Sequence, residues 1–114
     1  MVSAAQALHI EALIEDEKER ILQKYGRYKN DHECYGALKE EIEEAAEELQ
    51  ILQDNLEAFW SRIRSDDVDN LDVFESIELH AIELMLEARQ VAAIARKYQT
   101  THLKEWVEKI SERV

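Results

Sequence analysis

Six glutamates, Glu40, Glu41, Glu43, Glu44, Glu47 and Glu48, crowd into one short stretch in which only Lys39 lies near enough to offset them. Like charges three or four residues apart on a helix repel by roughly 0.2–0.5 kcal/mol per pair, and Glu40/Glu44, Glu43/Glu47 and Glu44/Glu48 are such pairs. Elsewhere the charges are mixed, as between Glu15 and Arg20, so the glutamate run is a local feature. Carboxylates gathered near a core are costly in desolvation and repulsion unless protons or cations neutralise them. Oxygen-only ligation on rigid helices suits Mg²⁺ or Mn²⁺, with water and phosphate oxygens completing the coordination. That is the chemistry of a nucleotide site.

The elements that must position these groups are helices. Proline is absent and the two glycines, Gly26 and Gly36, both fall in the first third of the chain, so an all-α fold is expected. A first helix over 3–25 opens at Ser3, whose spacing to Gln6 fits a capping box, and carries Ile10, Ile14 and Ile21 on one side. Glu17 falls on that apolar line, where it reads as a rim residue or a further ligand. Gly26 ends the helix, and Asp31 is a fair N-cap for a second one over 31–64, about 50 Å long at 1.5 Å per residue. Its apolar line, Leu38, Ile42, Ala45, Leu49, Leu52, Leu56, Phe59 and Ile63, alternates steps of four and three, the heptad seam of a helix packed along its length. Turn formers occupy 65–71, and Asp72 with Glu75 can cap a third helix over 72–99, whose seam is Ile77, Ala81, Leu84, Ala88, Val91, Ala95 and Tyr98. Thr100 and Thr101 mark an interruption before a short last helix over 101–113 with Leu103, Trp106, Val107 and Ile110 on one edge. The expected architecture is an antiparallel helical bundle built on a long two-helix hairpin. Seams too long for one small chain to cover point to an oligomer, a homodimer or homotetramer.

Helical phase then says where the glutamates point. Relative to the seam of the second helix, Glu41, Glu44 and Glu48 lie along one shoulder, while Glu40, Glu43 and Glu47 face away. On the third helix Glu83, Glu87 and Gln90 form the shoulder of the same hand, with His80 near it as a hydrogen-bonded rim residue. Shoulders of the same hand meet in an antiparallel pair. Counting outward from the middle of the loop brings Glu44 and Glu48 near the level of Gln90 and Glu87.

Composition bounds the remaining classes. A chain of 114 residues with 46% hydrophobic content is one domain's worth, 1–114, with a single core. A net charge of −12, and no basic stretch denser than Arg62/Arg64 or Arg96-Lys97, argue against binding of duplex nucleic acid. Cys34 is the only cysteine, which excludes an intrachain disulfide and favours a reducing compartment. The start, 1–13, has no basic leader pattern, and no apolar run approaches the length of a membrane span. The expectation is a cytoplasmic protein with no membrane contact. Asp67 and Asp69 lack the glycine and terminal glutamate of a calcium loop.

The stretch His32-Glu33-Cys34-Tyr35-Gly36-Ala37-Leu38-Lys39-Glu40-Glu41-Ile42-Glu43-Glu44, with Glu87-Ala88-Arg89-Gln90-Val91-Ala92-Ala93 later, resembles the MazG-like all-α nucleoside triphosphate pyrophosphohydrolases, particularly small phage-type members. That family carries an E-x-x-E pair on one helix and an E-x-x-D pair on the next. Glu41 and Glu44 match the first pair and Glu87 opens the second, while Gln90 stands where the aspartate is expected and the spacing between the pairs is longer than usual. The resemblance implies Mg²⁺ (or Mn²⁺) held by Glu41, Glu44, Glu87 and the position of Gln90. It further implies a water oriented by a carboxylate such as Glu48 or Glu83, which attacks the triphosphate to release pyrophosphate and a nucleoside monophosphate. Arg89, Arg96 and Lys97 are available for phosphate, and Trp60 or Tyr98 for a base. Two other classes stay open: a catalytically degenerate relative that keeps the fold, and a purely structural helical protein acting through assembly or partner binding.

Overall fold

The computed structural model describes residues 3–66 and 69–112, which form three α-helices: α1 (Ala4–Tyr25), α2 (Asp31–Arg64) and α3 (Leu71–Glu112). Among the described residues there is no strand, so the chain is all-α as its composition demands. Asp67 and Val68 of the expected turn, and residue 113 of the expected last helix, lie outside the described residues. No helix among the described residues is long and apolar enough to cross a membrane.

Local signals set most of the helix ends. Ser3 accepts the Gln6 N–H while the Gln6 side chain accepts the Ser3 N–H, both halves of a capping box. Gly26 ends α1 at φ 70° and ψ −163°, a region essentially closed to residues with a Cβ, and its N–H donates to the Leu22 carbonyl at 2.8 Å. At the start of α2 the cap is Asn30 rather than Asp31: Asn30 Oδ1 accepts the Glu33 N–H at 3.0 Å, which leaves Asp31 to accept from the Tyr98 hydroxyl at 3.1 Å. Asp72 does not cap α3 either. The helix begins one residue earlier, Asp69 accepts the Leu71 N–H, and Asp72 takes both arms of the Arg62 guanidinium at 2.5 and 2.9 Å.

Thr100 and Thr101 do not interrupt α3, which runs through them to Glu112. Their hydroxyls donate to the carbonyls of Arg96 at 2.8 Å and Lys97 at 2.9 Å, one turn back along the same helix. Such back-bonding satisfies a threonine inside a helix at little cost, and with no glycine or proline following, nothing stops the ladder.

The described residues fall by their contacts into two compact units, one within Met1–Glu40 and Arg89–Val114, the other within Glu41–Ala88. The first has a small apolar centre of Ile21, Ala93 and Ile94, with Tyr28, Cys34, Ala37 and Leu38 packed on it. Charged side chains are buried around that centre, and each is compensated. Glu17 receives two hydrogen bonds from Arg20 Nε, at 2.9 and 3.1 Å, and lies 3.8 Å from Arg89; Lys18 pairs with Glu15 at 2.5 Å and Glu19 at 2.8 Å. The Lys97 ammonium sits 3.8 Å from the centre of the Tyr28 ring, which compensates part of its desolvation through the face of the ring. Burial nevertheless holds the Lys97 amine below its usual range and pushes the Tyr28 phenol up to about 12.

In the second unit the paired residues step outward from the loop: Arg62 with Asp72, Phe59 edge-on to Phe74 at 4.9 Å, Asn55 with Ser76 at 2.9 Å, then Glu48 with His80 at 2.6 Å. The two helical segments of this unit therefore run antiparallel. Val73 is the one large apolar residue fully buried there among the described residues.

Ala93, with no exposed surface, leaves no room for a larger side chain. Ala93→Leu is expected to lower stability by about 1–3 kcal/mol through overpacking. Urea denaturation followed by helical circular dichroism measures the loss.

Candidate functional site

The three carboxylates of Glu41, Glu44 and Glu87 converge in the second unit, each offering an oxygen within 4.8 Å of the others. Glu41 and Glu44 reach the place from consecutive turns of α2, three residues apart on one face, and Glu87 reaches it from α3. The hydrogen bond between the Glu87 and Glu41 carboxyls is the largest cause that lifts Glu87 above the usual carboxylate range; burial and the charges of Glu41 and Glu83 act in the same sense, and Glu44 acts against them. Like charges this close repel, so the crowding itself disfavours three ionised carboxylates without a proton or cation between them. Glu87 Oε2 is closed off from solvent and has no hydrogen-bond donor. A buried oxygen without a donor costs stability and matches what a hard cation replaces.

The register differs from the count made outward from the loop. Glu87 meets Glu41 and Glu44, whereas Glu48 is level with His80 and bonds to its Nδ1 at 2.6 Å. The count assumed that both arms leave the loop at equal height, which local spacing does not dictate. His80 thus takes the rim role expected of it, through a partner that helical phase alone did not name. Glu83 is half-buried and acts on Glu87 through its charge.

Gln90 belongs to the first unit, where its side chain hydrogen-bonds Glu17. The bond from Arg20 is the largest cause that holds the Glu17 carboxyl below its usual range, with Gln90 and the charges of Arg20 and Arg89 assisting against burial. Glu17 is accordingly a buried, neutralised acid and not a rim residue. The basic side chains considered for phosphate are occupied in the same unit. Arg89 Nε donates to the Leu13 carbonyl at 2.9 Å, Arg96 pairs with Glu11 at 2.6 Å, and Lys97 is buried against Tyr28. Tyr98 donates to Asp31 and stacks on His102 with ring centres 5.7 Å apart; Trp60 lies under Arg64. Apart from the Tyr98–His102 and Trp60–Arg64 contacts, one turn apart on their own helices, these commitments join residues far apart in sequence, which periodicity does not reveal. Cys34 is a packing residue, its thiol pushed up by burial.

The chain matches no protein-family model, no curated protein and no solved structure.

The raised Glu87 carboxyl has a sign that can be tested. A carboxyl whose folded-state pKa lies above its unfolded value costs stability fully above the folded value, and the cost disappears as pH falls to the unfolded value near 4.5. In metal-free buffer at pH 7, Glu87→Gln is expected to raise stability by roughly 0.5–1 kcal/mol, the scale of two or three relieved like-charge contacts. The gain should vanish by about pH 4.5, as a pH series of chemical denaturation would show.

Proposed function

We propose that the chain is a Mg²⁺- or Mn²⁺-dependent nucleoside triphosphate pyrophosphohydrolase of the MazG-like kind. The observation that carries the reading is the meeting of three carboxylates within 4.8 Å, one with a buried oxygen that no donor serves. Glu41, Glu44 and Glu87 would hold the cation, which when bound would polarise the triphosphate and screen its charge. The residues' own work is to orient a water and take its proton. Glu83 suits this role, its charge acting on Glu87 from one turn away, and Glu48 suits it when His80 accepts or returns the proton across their 2.6 Å contact. The water oxygen bonds to the α-phosphorus, the bridging Pα–O bond breaks, and pyrophosphate leaves beside a nucleoside monophosphate. A homodimer or homotetramer in a reducing, cytoplasmic setting completes this reading, on a bundle whose core is the long hairpin of α2 and α3.

A second reading has its own support. Gln90 stands where the resemblance expects a carboxylate and is engaged with Glu17, while Arg89, Arg96 and Lys97 are committed elsewhere. That pattern suits a degenerate relative that binds a cation or nucleotide without turnover. Pyrophosphate release from a panel of ribo- and deoxyribonucleoside triphosphates separates the two. Turnover with Mg²⁺ or Mn²⁺ that falls at least about 100-fold in Glu44→Ala, the scale of removing an electrostatic group from a reacting centre, is the expected result. Without turnover on any substrate, a melting temperature raised by Mn²⁺ in the native chain but not in Glu87→Gln selects the degenerate reading. Neither turnover nor a metal-dependent shift leaves an assembly protein with no ligand at this place.

A further inference from the structure

Within the first unit, the start of α2 and a stretch of α3 border a groove of about 480 Å³, in the size range of small-molecule sites. Asp31, Cys34, Tyr35 and Leu38 line it from α2, three or four residues apart and so on one face. Ile94, Ala95, Tyr98 and Gln99 line it from α3. Ala95 is exposed and carries only a methyl group, which leaves space that a larger side chain would take. From Asp31 to Leu38 the helix rises by about 10 Å, the length of a ligand with a polar head a few atoms from its apolar body.

Charge says what that head must be. No lysine or arginine lines the groove, and Asp31 is its one ionised side chain. The Lys97 ammonium is turned onto the Tyr28 ring and the residue is 2% exposed, so it offers no charge here. Gln99 gives its amide to the Ala95 carbonyl at 3.2 Å. Asp31 is not consumed by its own helix, because Asn30 has taken the capping role. The Tyr98 hydroxyl donates to Asp31 Oδ1 at 3.1 Å, and the Tyr98 ring is itself stacked on His102 with the rings 5° from parallel. The carboxylate is thus held in place before any ligand arrives, which lowers the cost of binding. The helix end does not reverse the sign, since Asp31 and Glu33 both lie in the first turn of α2. A carboxylate at one end of an apolar groove complements a cation with an apolar body and repels an anion. The net charge of −12 draws cations in the same sense.

We infer that this groove binds a small organic amine, with the ammonium hydrogen-bonded to Asp31 and the apolar body laid over Leu38, Ile94 and Ala95 beside the Tyr35 ring. Tyr35 is 65% exposed, and a ligand in the groove gives its ring something to cover. The sign of the ligand separates this place from the cluster of Glu41, Glu44 and Glu87, whose proposed substrate is an anion. The inference does not rest on that reading.

Phenethylamine, phenethyl alcohol and phenylacetate carry the same apolar body under a positive, a neutral and a negative head at pH 7. Titrated into the full chain and followed by amide magnetic-resonance shifts, phenethylamine is expected to perturb Cys34 and Ala95. It should bind at least about tenfold more tightly than the alcohol, the scale of a charge-assisted hydrogen bond over a neutral one. Phenylacetate should bind more weakly than the alcohol, and methylamine, which has the charge without the body, should leave the groove unperturbed. Asp31→Asn is expected to bring the amine down to the affinity of the alcohol, and Ala95→Phe, which fills the groove, to abolish the binding of both. Both positions are exposed, so helical circular dichroism is expected to persist. Should Ala95→Phe lose its helices, Asp31→Asn decides alone. The proposal is overturned by any of four results: no perturbation of Cys34 and Ala95 by the amine, shifts along the glutamate run of α2 in their place, phenylacetate binding as tightly as the amine, or an amine preference that survives Asp31→Asn.

Discussion

Helices that meet through polar side chains must match every donor with an acceptor, because a buried polar group without a partner costs about 1–3 kcal/mol. In the second unit nearly every polar rung meets that condition. Arg62 has Asp72, Asn55 has Ser76, and Glu48 has His80. The rung farthest from the loop breaks the rule, since there Glu87 faces Glu41 and Glu44 and one of its oxygens has no donor. The first three rungs fix direction and height along the pair, and in doing so they force the last one together. The crowding is thus imposed by satisfied contacts nearer the loop.

The division of labour around α2 follows from the same constraint. Polar residues occupy most of the line that meets α3, with Phe59 on Phe74 between them, and the heptad Ile42, Leu49, Leu56 and Ile63 beside it stays about half exposed. Were that heptad turned into the contact, the pair would close on itself with a dry seam and its glutamates would be spread through water. Its displacement leaves acids where they feel each other and large apolar side chains half exposed. The first unit solves a different problem. Its centre is only Ile21, Ala93 and Ile94, and buried charge is tolerated around it because Glu17 and Lys18 have partners on their own helix and Lys97 has an aromatic face.

Much of this was legible in the residues themselves. The Ser3–Gln6 box, the stop at Gly26 and the span of α2 follow from spacing and phase, which act over one or two turns. What escaped depends on longer range or on competition between equivalent groups. Asn30 and Asp31 are both good caps, and the choice fell to Asn30 because Tyr98 claims Asp31. Thr100 and Thr101 resemble a break until their hydroxyls are seen bonded to their own helix. The burial of Glu17 and the pairing of Glu48 with His80 depend on which turns of distant segments come to the same level, and heptad periodicity is silent on that.

Lys97 carries a consequence of another kind. Its amine is held below the usual lysine range, so more of it is in the free-base form than of an ordinary lysine, and the free base is what acylating reagents attack. At 2% exposure, however, no reagent reaches it in the closed state. Its acylation must wait for the packing around Tyr28, Cys34 and Ile94 to open, while Lys29 and Lys39 on the surface react at once. The rate at which Lys97 is labelled is therefore a clock for the breathing of the first unit, read from a single side chain by peptide mapping with mass spectrometry, which separates it from buried Lys18.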